Sequence, residues 1–374
     1  MTKILQLGKF YPPFFGGMET VLKDLCRGLA EVPDNEIQVL CAEHSSTPSS
    51  KIDGKIKVYR IRNILTLFSQ PLMPTYFFHL RKLLKSADVV HLHTPHPLAE
   101  FFLYLLKPKC PIVITHHSDI IKQRIVAPLH SIFARKLYAR ASAIIVPTNN
   151  HVTTSRLLPD FIKNIHCIPF GLNTESLIPI ENLSINQNIE SPYFLFVGRL
   201  VGYKGVEVLI KSMLKIEAKY SLKIVGTGPL KSELQSLVLK LGLDDRVKLL
   251  GRVDDPVEFS SLYANCLAFV LPSISSNENF GMVQLEAMYY GKPVIATQLR
   301  SGVPAVAEPG VSSLLAQVND PDDLAKVMNQ LINSPELTKK MGTAARERYL
   351  KMYRLETFIS SHSKLYKKLL NEDN

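Results

Sequence analysis

Short apolar runs, each closed by glycine, proline or a polar loop, alternate along this chain with longer stretches whose apolar residues recur every three or four positions. The runs at 4–7, 38–42, 58–60, 89–92, 112–115, 143–147 and 165–168 are rich in β-branched residues and read as strands. Residues 18–30 carry the period of an amphipathic helix, and helical patterns lie between several of the other runs. This alternation predicts a parallel sheet wound on both faces. Residues 176–192 break it: they are polar, rich in asparagine, and carry Pro179 and Pro192, as a linker does. A second round then begins, with strands at 193–197, 222–225, 247–249, 268–271 and 293–296 and helices at 205–217 and 230–241. The expected architecture is α/β: two Rossmann-like, doubly wound domains, 1–175 and 193–345, facing a central cleft, followed by a helical tail, 346–374. The last part of the chain, 336–370, reads as helical and rich in lysine and arginine.

In open α/β sheets, ligands bind beyond the carboxyl ends of the strands. Each chemically suggestive segment here directly follows a strand. Gly16-Gly17 follows the first, where glycines let the backbone of the next helix N-terminus come close to a phosphate. Thr115-His116-His117-Ser118-Asp119 follows the strand at 112–115; adjacent histidines in a strand point to opposite faces, so this pair is a poor metal site. Arg199 and Lys204 follow the strand at 193–197 and suit charge growing on a departing diphosphate. Gly226-Thr227-Gly228-Pro229 and Gly251-Arg252-Val253 follow two further strands. Glu278 and Glu286, with seven residues between them, flank the start of a helix expected at 280–290, capped by Gly291 with Pro293 just beyond. Taken alone, such a glutamate pair is as easily surface solvation.

The segment Glu278-Asn279-Phe280-Gly281-Met282-Val283-Gln284-Leu285-Glu286, with Gly291-Lys292-Pro293-Val294 after it, closely resembles the Glu-x7-Glu signature of retaining GT-B glycosyltransferases, group 1 or family 4 type. Gly16-Gly17-Met18-Glu19, His117-Ser118-Asp119 and Gly198-Arg199-Leu200 through Lys204-Gly205 extend the resemblance in the expected order. The resemblance implies a GT-B fold, with a C-terminal helix in 346–374 that crosses back to the first domain, and transfer of a hexosyl unit from a nucleoside diphosphate sugar, GDP-mannose or a UDP-hexose or N-acetylhexosamine. The acceptor would be a saccharide or a lipid-linked saccharide, in O-antigen, lipopolysaccharide or exopolysaccharide synthesis. It implies catalytic roles for Glu278, Arg199, Lys204 and His117, with His116 as the alternative histidine. Gly16, Gly17, Arg252, Val253, Phe280, Gly281, Met282, Val283 and Glu286 would hold the donor and its nucleotide, and Asp119 would face the acceptor. The chain departs from the pattern at Ser301-Gly302-Val303-Pro304-Ala305, where many members carry Gly-Gly-x-Pro-Glu.

Composition narrows the alternatives. The chain has 374 residues, 44 Lys and Arg against 33 Asp and Glu, and a formal charge of +11, which favours anionic partners. A nucleic-acid binder is the least favoured reading, since no helix-turn-helix or aromatic-basic signature accompanies the charge. A Rossmann oxidoreductase or epimerase remains an alternative, without the Gly-x-Gly-x-x-Gly that a dinucleotide would require. Five cysteines, with no Cys-x-x-Cys, fit packed thiols in a reducing cytoplasm. No cofactor and no metal are expected: Asp320-Pro321-Asp322 reads as a helix N-cap followed by proline at N1. The start of the chain reads as a strand without a secretory signal, and no apolar run is long enough to span a bilayer. The stretch 60–85 mixes cations with Ile64, Leu65, Phe68, Leu72, Phe77 and Phe78, as an interfacial helix would, or equally a core helix with surface lysines. The expected place is the cytoplasm, peripheral on the cytoplasmic face of the inner membrane, with an anionic membrane surface as partner and no nucleic acid.

Overall fold

A computed structural model of the chain describes residues 1–14, 16–43, 50–67, 70–119, 127–184 and 192–372. The chain forms two compact units: residues 1–171 with 355–374, and residues 172–354. The division falls at Gly171, so 172–184 go with the second unit, and 185–191 of the expected linker lie outside the described residues.

The first unit contains β1 (Thr2–Leu7), β2 (Asn35–Ala42), β3 (Ser50–Asp53), β4 (Ile56–Ile61), the hairpin β5 (Leu65–Leu67) and β6 (Gln70–Leu72), then β7 (Val89–Thr94), β8 (Ile112–His116), β9 (Ala143–Val146) and β10 (Ile165–Cys167). Its main sheet has the order β10-β9-β8-β7-β1-β2-β4-β3. All pairings are parallel except that of β3 with β4 at the edge. Leu5, Leu7, Leu40, Val90, Leu92, Ile114 and Ile144 pack in its core. The second unit contains β11 (Tyr193–Val197), β12 (Ser221–Val225), β13 (Val247–Gly251), β14 (Ala268–Leu271), β15 (Val294–Thr297) and β16 (Ser313–Ala316), all parallel, in the order β13-β12-β11-β14-β15-β16. Phe194, Phe196, Leu222, Ile224, Val270 and Ile295 fill its core. Strands covered on both faces are apolar at successive positions, which is why these runs do not alternate. Each such side chain contributes roughly 1.5–3 kcal/mol on full burial.

In each unit the chain winds outward from the first strand in one direction, then returns to wind in the other. The reversal lies between β1 and β7 in the first unit and between β11 and β14 in the second. At such a point the loops diverge and leave a crevice at the carboxyl ends of the strands.

Several elements differ from the sequence expectation. The tail is two helices, Pro335–Met352 in the second unit and Leu355–Glu372 in the first. The helix expected at 280–290 spans Val283–Tyr289. The stretch 60–85 is not one helix: it holds the end of β4, the β5–β6 hairpin and the helix Tyr76–Leu84. Tyr76, Leu80 and Leu83 are buried there, while Phe78, Arg81 and Lys82 are exposed; Phe68 lies outside the described residues. Cys26, Cys41 and Cys266 are buried as expected, but Cys167 is exposed on the edge strand β10. Asp320 caps the helix Pro321–Ile332, accepting from the backbone N–H groups of Asp322 and Asp323 at 2.9 and 3.0 Å.

Candidate active site

The second unit builds its site at the β11/β14 reversal. After β11 the chain passes Gly198 and Arg199 into a short turn, Gly202–Lys204, closed by Gly205 in the left-handed region at φ 67°. A Cβ at Gly205 would lie 2.0 Å from the carbonyl oxygen of Pro272, so only glycine lets this turn lie against the end of β14. The contact carries Lys204 to the loop after β14. There its Nζ meets Oε2 of Glu278 at 2.5 Å, with both side chains buried. Ser273 donates its hydroxyl to the same Oε2 at 3.3 Å, and Thr297 donates to the Ser273 carbonyl at 2.5 Å. The backbone joins in: Ile274 N–H donates to Tyr203 at 2.8 Å and Glu278 N–H to Ser275 at 3.0 Å. A buried ion pair is tolerated only when geometry and added hydrogen bonds offset desolvation. Ser273 supplies such a bond here. Arg199 is exposed, and its guanidinium makes no hydrogen bond or ion pair among the described residues.

Glu286 occupies a different environment. It is half-buried, and the Tyr263 hydroxyl donates to its Oε2 at 2.5 Å. Removal from water pushes its carboxyl up to about 7, against the hydrogen bond from Tyr263. Tyr263 lies on the helix Pro256–Asn265 and stacks on Tyr290, with ring centroids 6.0 Å apart. Between the two glutamates, Phe280 is buried and packs edge-on against Tyr353, and Gly281 turns the chain at φ 72°. A Cβ at Gly281 would come within 2.6 Å of Leu271. The Gln284 amide donates to Phe280 O at 2.9 Å and Val303 O at 3.4 Å, pinning the turn, while Met282 and Val283 stay half-buried.

The ends of β12 and β13 are joined to that of β11 by backbone alone. A Cβ at Gly226 would sit 1.9 Å from Gly198 O, and one at Gly228 2.3 Å from Leu200 O. Gly226 N–H donates to Gly251 O at 2.7 Å. Packing therefore accounts for the glycines of the 226–229 loop. Beyond Gly251, Val253 is half-buried, and Arg252 is exposed and paired with Asp254 at 2.5 Å.

The first unit carries the remaining residues. Gly16 is the N-cap of the helix Gly17–Ala30. The carboxylate of buried Glu19 covers it: a Cβ at Gly16 would lie 2.3 Å from Glu19 Oε2, whereas one at Gly17 would meet open space. His117 is buried, stacks on Phe170 and sets its Nε2 3.0 Å from Nδ1 of His93. Asp119 is held on three sides: Ser155 Oγ donates at 2.8 Å, Arg156 N–H at 2.8 Å, and His116 Nε2 lies at 3.2 Å. Burial pushes the Asp119 carboxyl up, but these partners outweigh it and hold it near 2. His116 also bonds the Tyr138 hydroxyl at 2.9 Å, so the two adjacent histidines belong to separate networks.

Sequence reasoning did not single out Ser273, Thr297, Tyr263, Gln284, His91 or His93. Only the His91-Leu92-His93 alternation gave a signal, placing both rings on one face of a buried strand.

Two family models together span most of the chain: Glycosyltransferase Family 4 over residues 15–176 and Glycosyl transferases group 1 over residues 180–348. D-rhamnosyltransferase WbpZ of Pseudomonas aeruginosa is 30% identical over 342 residues, 90% of this chain and 88% of that protein. This chain belongs to the group 1, family 4 glycosyltransferases. The O-antigen chain mannosyltransferase C of Escherichia coli is 25% identical, with 96% of each chain covered. Among solved structures, Anabaena Alr3699/HepE in complex with UDP superposes with a TM-score of 0.78 at 22% identity, covering 98% of this chain and all of that one. The fold is GT-B and the protein is an enzyme. Glu278 and Glu286, the expected signature pair, have different partners in the structure: a cation for the first, a neutral phenol for the second.

Proposed function

We propose that this glycosyltransferase moves a hexosyl unit, with retention, from a nucleoside diphosphate sugar to a lipid-linked saccharide in O-antigen or related surface polysaccharide synthesis. The observation that carries the reading is the buried Lys204–Glu278 pair at the β11/β14 reversal, with the exposed guanidinium of Arg199 beyond the same strand. A buried ammonium and a free guanidinium suit the diphosphate, and stabilisation of the charge growing on it needs no metal. Glu278 would take hydroxyls of the donor sugar and Glu286 those of the ribose. With both glutamates given to hydroxyl contacts, neither is assigned as a nucleophile beneath the sugar. The acceptor hydroxyl would therefore attack the anomeric carbon from the leaving-group side. The bond to the diphosphate oxygen breaks, the bond to the acceptor oxygen forms, and the acceptor's proton passes to the departing diphosphate. His117 would border the donor sugar.

The mannosyl- and rhamnosyltransferase relatives and the UDP-bound neighbour support GDP-mannose, a related deoxyhexose donor or a UDP-sugar. For the acceptor, Ile64, Leu65, Leu72 and Phe78 are exposed, at 56, 50, 45 and 68%, beside exposed Arg81 and Lys82. An apolar surface edged by cations suits the cytoplasmic face of an anionic membrane. No described helix is long and apolar enough to cross one.

The test is a panel of GDP- and UDP-sugars read by thermal shift, since a ligand bound to the native state raises apparent stability by mass action. The stabilising donor is then taken to product with EDTA present, and the anomeric configuration is read by NMR. No stabilisation by any sugar nucleotide would overturn the reading. An inverted anomeric centre would overturn the mechanism, and loss of activity in EDTA would overturn the metal-free charge stabilisation.

A further inference from the structure

Behind His117 lies a chain of buried polar groups that none of the roles above uses. It runs from Thr115 on β8 through His91 on β7, Tyr366 on the C-terminal helix, Gln6 on β1 and His93 on β7 to His117. Gln6, His91 and His93 have almost no exposed surface. Polar groups so placed must find partners within the protein.

We infer that this chain fixes the tautomer of His117, with the proton on Nε2 and Nδ1 left as a bare acceptor, and that His93 and Gln6 are its positioning residues. The deduction starts at Gln6. Its Oε1 lies 3.1 Å from His93 Nε2 and, being a carbonyl oxygen, can only accept; His93 Nε2 therefore carries a proton. Burial holds His93 neutral by pulling its ionisation down to about 3, so the ring has one proton and Nδ1 has none. That Nδ1 lies 3.0 Å from His117 Nε2. Two lone pairs do not face each other at this distance, so His117 Nε2 is the donor. Burial lowers the ionisation of His117 as well, and a neutral ring protonated on Nε2 has an unprotonated Nδ1. Nδ1 makes no hydrogen bond among the described residues.

The other end of the chain closes consistently. Gln6 Nε2 donates to the Tyr366 hydroxyl at 3.3 Å, Tyr366 donates to His91 Nδ1 at 2.6 Å, and His91 Nε2 donates to Thr115 Oγ1 at 2.7 Å. Each bond in the run has one donor and one acceptor. Turning the Gln6 amide over would reverse every proton and make His117 Nδ1 a donor, so the orientation of a single buried amide sets what His117 can recognise.

The consequence deepens the proposed function and rests on its placement of His117 beside the donor sugar. An acceptor nitrogen requires a hydrogen-bond donor from the substrate: a hydroxyl suits it, while an ether, a fluorine or a bare C–H does not.

The wiring is tested without any substrate by nitrogen-15 NMR of the histidine rings in the full-length free protein. In the wild type His117 should show a protonated Nε2 and an unprotonated Nδ1. In Gln6→Leu the two nitrogens should move towards each other, as two tautomers exchange. Protonation of His117 on Nδ1, or on both nitrogens, in the wild type would overturn the inference, and that spectrum decides even if Gln6→Leu does not fold. An unchanged tautomer in folded Gln6→Leu would overturn the positioning role of Gln6. The substrate arm uses donors with single hydroxyls replaced by hydrogen or by fluorine. At the position facing His117 both should lower kcat/KM by roughly ten- to a hundredfold. Restoration by fluorine, which only accepts, would overturn the acceptor role. Indifference at every position, with the tautomer as stated, would instead remove His117 from the donor sugar.

Discussion

The two units share one winding plan and hold polar side chains at the carboxyl ends of their strands in opposite ways. In the first, His91, His93, His117, Gln6 and Tyr366 are buried, and burial pulls the ionisation of all three imidazoles down, so the network is neutral. In the second, Lys204 and Glu278 are buried as an ion pair, with Ser273 as third partner. A neutral network can be fully satisfied with little desolvation penalty and fixes directions: which atom donates and which accepts. A buried ion pair is costly to keep from water and fixes charge, which is what a departing diphosphate demands. On the proposed function, that difference would give recognition by direction to one unit and stabilisation of charge to the other.

The ion pair offers the largest effect. Lys204→Ala should lower the transfer rate by about a hundredfold or more, the scale seen when one preorganised charge-stabilising donor is removed. It should also destabilise the second unit by about 3–5 kcal/mol, because Glu278 would be left as an uncompensated buried carboxylate. Glu278→Ala should likewise reduce turnover strongly. Combining Lys204→Met with Glu278→Leu should recover much of the lost stability, since a buried pair replaced by apolar groups of similar size is often neutral, but none of the activity. Urea unfolding and turnover of the wild type, Lys204→Met, Glu278→Leu and the double variant make the comparison. Additive stability losses in the double variant would show that the pair is not coupled as its 2.5 Å separation requires.

Opposite responses to pH should come next in size. The unfolded reference for histidine is about 6.5. Burial holds His93, His96 and His151 near 3 and His362 near 4. Below pH 6.5 the unfolded chain takes up protons that the folded first unit refuses, so its stability falls as pH falls. At pH 5 each histidine held near 3 accounts for about 2 kcal/mol, at about 1.4 kcal/mol per unit. Glu19, raised by burial, offsets this in part. In the second unit, burial raises Glu286 to about 7 from 4.5. Its contribution has the other sign: it is fully present below pH 4.5 and is lost as pH rises through 7. Hydrogen exchange at pH 5 and pH 7, corrected for intrinsic rates, should show the slowest amides of β7 and β8 losing protection in acid relative to those of β11 and β14. Equal losses in both sheets would contradict the contrast.

How much of this was legible in the sequence follows the same divide. The strands were readable because their side chains are buried on both faces, leaving unbroken apolar runs at 193–197 and 268–271. Charged and glycine-bearing positions stood out as well: Arg199, Lys204, Glu278 and Glu286 lie in motifs whose flanking residues, more than their spacing, carry the resemblance. Partners were not. Nothing local links Lys204 to Glu278, or Tyr263 to Glu286, since each pair joins loops or helices brought together only by sheet order. The histidine network needs Gln6, His91, His93, Thr115 and Tyr366 from four elements, the last contributed by the C-terminal helix. The helix after Phe280 starts at Val283 because Gly281, in the left-handed region, bends the chain first. The 60–85 stretch was misread as one helix because apolar-basic character persists through a hairpin as well as through a helix.

The smallest expected effect separates the two signature glutamates themselves. Glu278 is held by a charge, Glu286 by a hydroxyl. Tyr263→Phe removes that hydroxyl while keeping the ring stacked on Tyr290, and should cost only about 1 kcal/mol of stability. Its signature is in the pH dependence of donor binding. The Tyr263 hydrogen bond favours the carboxylate over the acid, opposing the burial that raises the group to about 7. Without it the ionisation should move higher still. If Glu286 accepts hydroxyls of the ribose, it binds them best as the carboxylate. The donor KM of the wild type should then fall as pH rises through 7, and that of Tyr263→Phe should fall at a higher pH. The two proteins would differ most near neutrality, by several-fold, and converge where both carboxyls are ionised. Donor KM measured from pH 6 to 9 decides the matter: superimposable profiles would mean that Tyr263 merely packs and that Glu286 meets the nucleotide without its help.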